Sequence, residues 1–315
     1  MAEIGFRNVK DRLKDIVDWP PAQKDTGWKL VTPEGERDGY EMVEINTVVN
    51  AFFYHGLVLM SELAGRLDHN DDSVFFRNQA DKVKKTINDK LLSKATGIYI
   101  DGESSEHSSL HANMVALAFN LVPEQNKKAI TDFIKSRGMA CSVYGAQYLL
   151  EGLYNAGESD YALSLLTAIN DRSWWNMIRS GSTITMEAWD MKYKPNSDWN
   201  HAWGAAPANI IPRMMWGISP VEPGYSKAMI KPRLSTLKFS KISVPTIRGN
   251  IEAEYSLKGN SGEYKITIPG NMDCDFVLPD SRDFIISQNG KKIEPGDMKV
   301  KLIPGENNIV ISHRL

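Results

Sequence analysis

The residues with the greatest capacity for chemistry lie between Ser180 and Gly204, in the run SGSTITMEAWDMKYKPNSDWNHAWG. Two carboxylates, Glu187 and Asp190, share this run with the imidazole of His201. Five tryptophans occur in the run or just before it: Trp174, Trp175, Trp189, Trp199 and Trp203. Flat aromatic faces suit the C–H faces of a sugar ring, and carboxylates accept hydrogen bonds from its hydroxyls. The combination therefore favours a carbohydrate site.

Glu187 is the candidate for proton transfer. It follows the strand-like run Thr-Ile-Thr-Met, which predicts a carboxylate at the end of a strand against apolar neighbours. Burial of that kind raises the pKa of a carboxyl group and makes general acid–base catalysis possible. The alternative is a structural glutamate that caps a helix or pairs with Arg179.

Length and composition restrict the classes of protein. The chain has 315 residues, of which 42% are hydrophobic and 24% charged, and its formal net charge is −2. This is enough for one large domain or two ordinary ones, and the lack of a basic stripe argues against a nucleic-acid partner. No apolar run approaches the roughly 20 residues of a membrane span, so no membrane partner is predicted.

The remaining composition predicts no cofactor and no metal. The two cysteines, Cys141 and Cys274, are far apart and indicate neither a disulfide framework nor a zinc site. His107 and His111 are four residues apart without a third ligand nearby, so we assign them to helix packing. The first residues lack the apolar segment of a signal peptide, and the compartment stays open.

The pattern of the chain changes once. Residues 39–171 show helical periodicity interrupted by short turns, which predicts antiparallel αα-hairpins. At residues 219–225 the pattern changes to short alternating runs, which predict an antiparallel β-sandwich of about seven strands. Asn289-Gly290 is the clearest hairpin turn. The predicted fold class is α+β, with an all-α catalytic domain over 1–218 and a β-sandwich domain over 219–315.

A set of stretches, in the right order, resembles the C-terminal portion of the α-L-rhamnosidases of glycoside hydrolase family 78. The specific part is TITMEAWD (183–190) followed by DWNHAWG (198–204). The supporting stretches are Asp18-Trp19, TVVNAFFYHGLVLMSELA (47–64), HSSLHANMVALAFNLVPE (107–124), YGAQYLLEGLYNAGESDYALSLL (144–166) and GISPVEPGY with IKPRL (217–234). The resemblance implies an (α/α)6 toroid, a C-terminal β-sandwich and inverting hydrolysis of terminal α-L-rhamnose residues.

The resemblance also implies roles for single residues. Glu187 matches the general base that activates water, and His201 matches a residue that lines the sugar subsite. Trp19 matches the tryptophan of the family's GDW motif, although Val17 stands in place of the glycine. We expect His201 and Trp19 to face the same cavity as Glu187. The other candidates for substrate binding are Trp175, Trp189, Trp203 and Asp190; a core position is the alternative for each tryptophan, and an orienting role is the alternative for Asp190.

One part of the family pattern is absent from the sequence. The general acid of the family lies in a stretch of the form DxPxRxE, which GERDGYE (35–41) only echoes. A full toroid needs twelve helices, and the pattern predicts seven to nine. We therefore expect the C-terminal part of a longer enzyme, which holds the base and lacks the acid. The expected partners are the missing N-terminal part and a rhamnose-containing oligosaccharide, polysaccharide or glycoside.

An incomplete toroid exposes apolar faces that its other hairpins would cover. The run 42–64 is apolar over more than half of its circumference and is the candidate for such a face. We predict that the isolated chain self-associates or pairs with the N-terminal segment, and does not cleave rhamnosides alone. Light scattering and an aryl α-L-rhamnoside assay test this. A monomer with enzyme-like turnover would contradict it and make Asp38 or Glu41 the first candidate for the acid.

Two other classes of function stay open on the sequence. The first is another (α/α)6 carbohydrate-active enzyme, such as a lyase. Uronate lyases need cations that neutralise the substrate carboxylate, and the central run offers only Lys192 and Lys194, which argues against that reading. The second is a non-catalytic carbohydrate-binding fragment, as expected of a chain that lacks its acid.

Overall fold

The chain forms two compact units. The computed structural model describes residues 36, 38, 39, 41, 43–278, 284–294 and 298–313. The first unit spans Met1–Ala206 and the second Pro207–Leu315. The first strand of the second unit begins at Ser219. The domain boundary at 218/219 stays a prediction.

The first unit is built from helices, as the periodicity predicts. In chain order they are α1 (Thr47–Arg66), α2 (Asn70–Lys90), α3 (Leu110–Ala118), α4 (Lys127–Arg137), α5 (Gly145–Asn155), α6 (Ser159–Leu166) and α7 (Trp174–Arg179). A short α8 (Ala206–Ile210) begins at the last residue of this unit and continues into the second. All nine residues of α3 are buried, and α3 packs against α1, α4 and α5. A Cβ on Gly152 of α5 would lie 3.1 Å from the backbone of α3, so a glycine permits this close approach.

The α1–α2 hairpin shows how side chains fix helix ends. Asn46 caps α1 by accepting a hydrogen bond from the Val49 N–H at 3.2 Å. Asp68 adopts a positive φ of 62° in the turn, and α2 then begins at Asn70. The tight turn places Asp72 in the first turn of α2, where a carboxylate interacts favourably with the helix dipole.

Ser61 of α1 and Ser73 of α2 join the two helices. The Ser61 hydroxyl donates to the Ser73 carbonyl at 2.9 Å, and the Ser73 hydroxyl donates to the Ser61 carbonyl at 2.8 Å.

Helix α1 is long and apolar enough to cross a membrane by length and composition alone, contrary to the prediction from the sequence that no run reaches that length. A core helix of a folded domain meets the same two criteria.

The apolar run of α1 is only partly covered in the described structure. Val48 is 1% exposed, whereas Met60 is 45% exposed. The exposed apolar side chains of the α1–α2 hairpin are Leu59, Met60, Leu63, Leu67, Val74 and Phe75. The prediction of association through this run stays a prediction.

The two histidines assigned to helix packing have different positions. His111 is buried within α3. His107 precedes that helix, and its Nδ1 lies 2.6 Å from the Asp101 carboxylate. Asp101 also accepts a hydrogen bond from the Ser109 N–H at the start of α3. The packing assignment was therefore wrong for His107, because the chain at that point is a loop held by a buried carboxylate.

The second unit contains ten strands in the described residues. They are β1 (Ser219–Pro220), β2 (Lys227–Ile230), β3 (Phe239–Thr246), β4 (Gly249–Lys258), β5 (Ser261–Ile268), β6 (Asp273–Val277), β7 (Phe284–Gln288), β8 (Lys291–Ile293), β9 (Lys299–Leu302) and β10 (Gly305–His313). They form one sheet in the order β1-β2-β6-β9 and another in the order β3-β4-β5-β10-β7-β8. The predicted α+β fold class is confirmed.

The sequence predicts the pairing of strands that are neighbours in the chain better than the pairing of strands that are distant in it. Asn289 and Gly290 both have positive φ, 50° and 78°, in the predicted hairpin turn between β7 and β8. The rings of Tyr264 and Phe276 are 5.0 Å apart, so β5 of one sheet packs against β6 of the other. One pair departs from the predicted antiparallel arrangement, since β2 pairs with β6 in parallel. That pairing joins strands distant in sequence, and no turn signal indicates it.

Candidate active site

Two irregular segments hold the candidate site together. The His201 N–H donates to the Thr185 carbonyl at 2.8 Å, and the Glu187 N–H donates to the Asp198 carbonyl at 2.9 Å. The Thr185 hydroxyl adds a hydrogen bond to the His201 carbonyl at 2.7 Å. These contacts place Glu187 and His201 side by side. The predicted strand before Glu187 does not form, since the pairing extends over too few residues for a regular ladder.

Gly204 allows the two segments to approach each other closely. A Cβ at this position would lie 2.7 Å from the Met186 carbonyl oxygen, so a larger residue would separate the segments. The Gly204 carbonyl accepts a hydrogen bond from the Trp174 indole at 2.7 Å. Trp174 begins α7, which Ser173 caps by accepting from the Asn176 N–H. Helix α7 therefore fixes the end of the site loop.

The carboxylate of Glu187 is held at both oxygens. Its Oε1 forms an ion pair with the Lys194 ammonium, and its Oε2 accepts a hydrogen bond from the Asp198 N–H at 3.2 Å. The side chains of Glu187 and Lys194 are 15% and 11% exposed, so the pair is largely shielded from water. The alternative partner, Arg179, instead donates to Asn176 and Asp171.

The electrostatics of Glu187 differ from the sequence expectation. Burial acts to raise the pKa of this carboxyl group. The hydrogen bonds from Lys194 and Asp198, with the positive charges of Lys194 and His201, act in the opposite direction. Their combined effect holds the pKa of Glu187 below its ordinary value. The expectation of a raised pKa was wrong, because it considered burial without the lysine partner.

His201 lies in an aromatic cluster beside Glu187. Its ring centroid is 5.5 Å from that of Tyr144 and 6.0 Å from that of Trp203. The Tyr144 and Trp203 rings meet edge to face at 5.4 Å. The His201 Nε2 atom is shielded from solvent and has no hydrogen-bond partner among the residues that the structure describes.

The predicted tryptophans occupy two environments. Trp203 is 68% exposed, Trp175 is 51% exposed and Trp199 is 42% exposed. Trp189, in contrast, is completely buried. Its ring therefore offers no face to a ligand and has the position of a core side chain. Trp19 lies outside the described residues, so its expected place beside Glu187 stays a prediction.

Trp189 anchors the loop that carries Glu187. Its backbone N–H donates to the Glu36 carboxylate at 2.8 Å, and its indole N–H donates to the Cys141 carbonyl at 2.7 Å. Its ring meets Trp174 edge to face at 4.9 Å. These contacts tie Trp189, two residues after the candidate base, to three distant parts of the sequence.

Asp190 is tied to the scaffold. Its Oδ2 accepts a hydrogen bond from the side-chain amide of Asn176 at 2.8 Å, and its Oδ1 accepts one from the Lys192 N–H at 3.0 Å. The Asn176 amide also donates to the Trp189 carbonyl at 3.0 Å. These contacts support the orienting alternative for Asp190.

One group of side chains has the composition of a metal site. Ligand atoms of Glu187, Asp198 and His201 all lie within 4.8 Å of one another. The Lys194 ammonium already pairs with the Glu187 carboxylate, so a second cation would face like charge at short range. A bound metal ion is therefore disfavoured at this group, and the absence of a metal cofactor stays a prediction.

Sequence reasoning missed three residues of the site. Lys194 pairs with Glu187 seven residues away. Glu36, within GERDGYE (35–41), binds the Trp189 N–H, and Tyr144 contacts the His201 ring from a distant part of the chain. None of these has a local pattern that indicates its contact. A search for a cation near the candidate base would have found Lys194, which we weighed only as evidence on lyase chemistry.

Family models cover most of the chain. Residues 6–215 match the bacterial alpha-L-rhamnosidase 6-hairpin glycosidase domain, and residues 217–292 match the bacterial alpha-L-rhamnosidase C-terminal domain. An alpha-L-rhamnosidase of Alteromonas sp. (strain LOR) is 25% identical over 84% of this chain and 30% of the relative. An alpha-L-rhamnosidase of Formosa agariphila is 24% identical over 98% of this chain and 33% of the relative.

A solved structure agrees in fold. The alpha-L-rhamnosidase from Dictyoglumus thermophilum superimposes with a TM-score of 0.74 at 20% identity, over 88% of this chain and 34% of that one. The chain thus spans about a third of the length of the relatives that it matches. The resemblance stated from the sequence is confirmed, and with two thirds of its residues matched by the helical domain model, the chain belongs to the bacterial α-L-rhamnosidase six-hairpin glycosidase family.

Proposed function

We propose that this chain carries the water-activating side of an inverting α-L-rhamnosidase active site, with Glu187 as the general base. The observation that carries the proposal is the Glu187 carboxylate, held by Lys194 and by the Asp198 N–H beside an exposed aromatic cluster. A general base must be ionised before it can take a proton, and these contacts favour the ionised form.

The proposed reaction requires a second carboxyl group. As the water oxygen bonds to the anomeric carbon, the bond from that carbon to the leaving oxygen breaks. The water proton passes to Glu187, and a carboxylic acid on the opposite side of the sugar protonates the leaving oxygen. The two carboxyl groups of inverting enzymes are about 6.5 to 9.5 Å apart, which leaves room for the water.

Asp38 and Glu41 are weak candidates for that acid. Asp38 Oδ2 accepts a hydrogen bond from the Leu110 N–H at 2.8 Å and lies 3.6 Å from Arg137 Nε. Glu41 Oε2 accepts a hydrogen bond from the Ser105 hydroxyl at 2.6 Å. Both carboxylates therefore stabilise the scaffold. We therefore propose that the acid lies in a further segment of the enzyme.

The substrate side of the proposal rests on the aromatic cluster. The exposed face of Trp203 suits the apolar side of a sugar ring, and the half-buried ring of His201 lies beside it. The substrate class is a terminal α-L-rhamnose of an oligosaccharide, polysaccharide or glycoside, which the names of the relatives support. The uronate-lyase alternative has less support, since Lys192 pairs with Asp171 and Lys194 with Glu187.

Stereochemistry tests the proposed function. We expect the active enzyme to release β-L-rhamnose first from an α-linked substrate, because attack by water from the opposite side inverts the anomeric carbon. Proton NMR during the first minutes, before the sugar mutarotates, measures the anomer. Release of the α anomer first would mean a covalent intermediate and would remove Glu187 from the role of general base.

A further inference from the structure

The ion pair between Glu187 and Lys194 is unusual for its burial. Lysine is rarely buried in proteins unless it is paired, and the Lys194 side chain is only 11% exposed. Backbone hydrogen bonds hold the segment around it: the Tyr193 N–H donates to the Asp190 carbonyl at 3.1 Å, and the Ser197 N–H donates to the Lys194 carbonyl at 2.9 Å. The ammonium is therefore presented to Glu187 by a fixed turn.

Several charged groups surround the Glu187 carboxylate. Lys194 contacts Oε1, while Asp198 offers a backbone N–H to Oε2 and its own carboxylate lies within 4.8 Å of the site atoms. His201 lies within the same distance and adds positive charge when it is protonated. Burial favours a neutral Glu187, whereas the hydrogen bond from the Asp198 N–H favours the ionised form. Among the residues that the structure describes, Lys194 is the cation in direct contact with the carboxylate.

Neighbouring Lys192 provides a natural comparison. It lies two residues before Lys194 and pairs with Asp171, not with Glu187. Its side chain is 40% exposed. Both lysines lie in the same segment, and each pairs with a carboxylate. Only Lys194 touches the proposed base.

We propose that Lys194 is the positioning residue of Glu187, whose ammonium orients the carboxylate and keeps it ionised in the free enzyme. This inference rests on the proposed function. A carboxylate offers about four lone-pair directions, and Lys194 and the Asp198 N–H occupy two of them. A lone pair therefore stays available on each oxygen for the attacking water. A weak base suffices for this step, because the oxocarbenium-like centre is itself strongly electrophilic.

The pH profile of Lys194→Met tests the inference. The acidic limb of kcat/KM reports the ionisation of the essential base in the free enzyme. Loss of the ammonium favours the protonated form of Glu187, so we expect the limb to move upward by about one pH unit or more. Activity at the plateau should fall, but less than in Glu187→Gln, because the carboxylate loses an orienting contact and can still take a proton. Lys192→Met should leave the limb in place, and Lys194→Arg should keep it close to that of the unchanged enzyme.

Two results would overturn the inference. One is a folded Lys194→Met variant whose limb does not move while its plateau falls, which is the signature of a merely structural lysine. The other comes from the unchanged chain, in which carbon-13 NMR can follow the Glu187 carboxyl group, assigned by its loss in Glu187→Gln. Titration at or above the ordinary glutamate value of about 4.3 would exclude the proposed effect, even if Lys194→Met does not fold.

The failure of this inference can be told apart from failure of the proposed function. Unchanged turnover in Glu187→Gln would reject Glu187 as the base, whatever the NMR titration shows. A carboxyl titration that does not respond to Lys194→Met, together with lost turnover in Glu187→Gln, would reject Lys194 alone. Both measurements use the unchanged protein, Glu187→Gln and Lys194→Met.

Discussion

Glu187→Gln should reduce the turnover of the active enzyme by about 10² to 10⁴-fold, the range that a positioned acid–base group contributes. The amide keeps the size of the side chain but cannot take a proton from water. It also removes the negative charge that faces the Lys194 ammonium, while the Asp198 N–H keeps an oxygen acceptor. The measurement is kcat on an aryl α-L-rhamnoside, with circular dichroism to confirm that the fold is retained.

The matched control is Glu306→Gln in the second unit. Glu306 also pairs with a lysine, Lys265, at 2.9 Å, and accepts a side-chain amide hydrogen bond from Asn308 at 3.2 Å. It should therefore report the general effect of removing a paired carboxylate. We expect its turnover to stay within about twofold of the unchanged enzyme, since surface ion pairs contribute little. Equal losses in the two variants would show that the effect of Glu187→Gln is not catalytic.

Rescue by a small anion adds a second test of the same role. In Glu187→Ala, azide can attack the anomeric carbon without any proton to remove, so it does not need the base. We expect azide to restore turnover and to give the β-glycosyl azide. Glu306→Ala should show no response to azide. Retained activity of Glu187→Ala without azide would remove Glu187 from the mechanism.

Local patterns in the sequence were sufficient for much of the fold. Apolar residues at helical spacing indicated the hairpins, and Asn289-Gly290 indicated a turn, since each depends on residues close in the chain. The juxtaposition of Glu187 and His201 was also expected, but from resemblance and not from a local pattern. Backbone hydrogen bonds from Glu187 to Asp198 and from His201 to Thr185 hold the two residues together within one loop.

The electrostatics of the site could not be predicted in the same way. The sign of the pKa shift of Glu187 depends on whether a cation reaches it, and Lys194 does so only through the turn that precedes Asp198. The parallel pairing of β2 with β6 could not be predicted either, because it joins strands separated by 42 residues between Ile230 and Asp273. Contacts of this kind are set by tertiary packing, which periodicity does not describe.

Trp189 and Trp203 show most clearly what the sequence alone could not predict. Both lie in the same run, and composition gave each the same two readings, core or stacking surface. In the structure Trp189 is completely buried and Trp203 is 68% exposed. The difference arises because Glu36 and Cys141 bind the backbone and indole N–H groups of Trp189. Neither partner is close to it in sequence.

Trp189→Ala should lower the free energy of unfolding of the helical unit by about 3 to 5 kcal/mol. Removing a fully buried indole leaves a large cavity against Trp174, and it also leaves the Cys141 carbonyl without its donor. Because Glu187 lies two residues before this anchor, we expect kcat to fall as well. Urea denaturation followed by circular dichroism at 222 nm measures the stability, since that signal comes mainly from the helices.

Trp203→Ala is the matched control for that loss. The same residue type is removed from the same loop, but its ring is mostly exposed, so we expect a change in unfolding free energy within about 0.5 kcal/mol. Its effect should instead appear as a raised KM for the rhamnoside, because a stacking face is lost. A stability loss in Trp203→Ala equal to that in Trp189→Ala, or a Trp189→Ala variant as stable as the unchanged chain, would contradict the assignment of Trp189 as the anchor of the Glu187 loop.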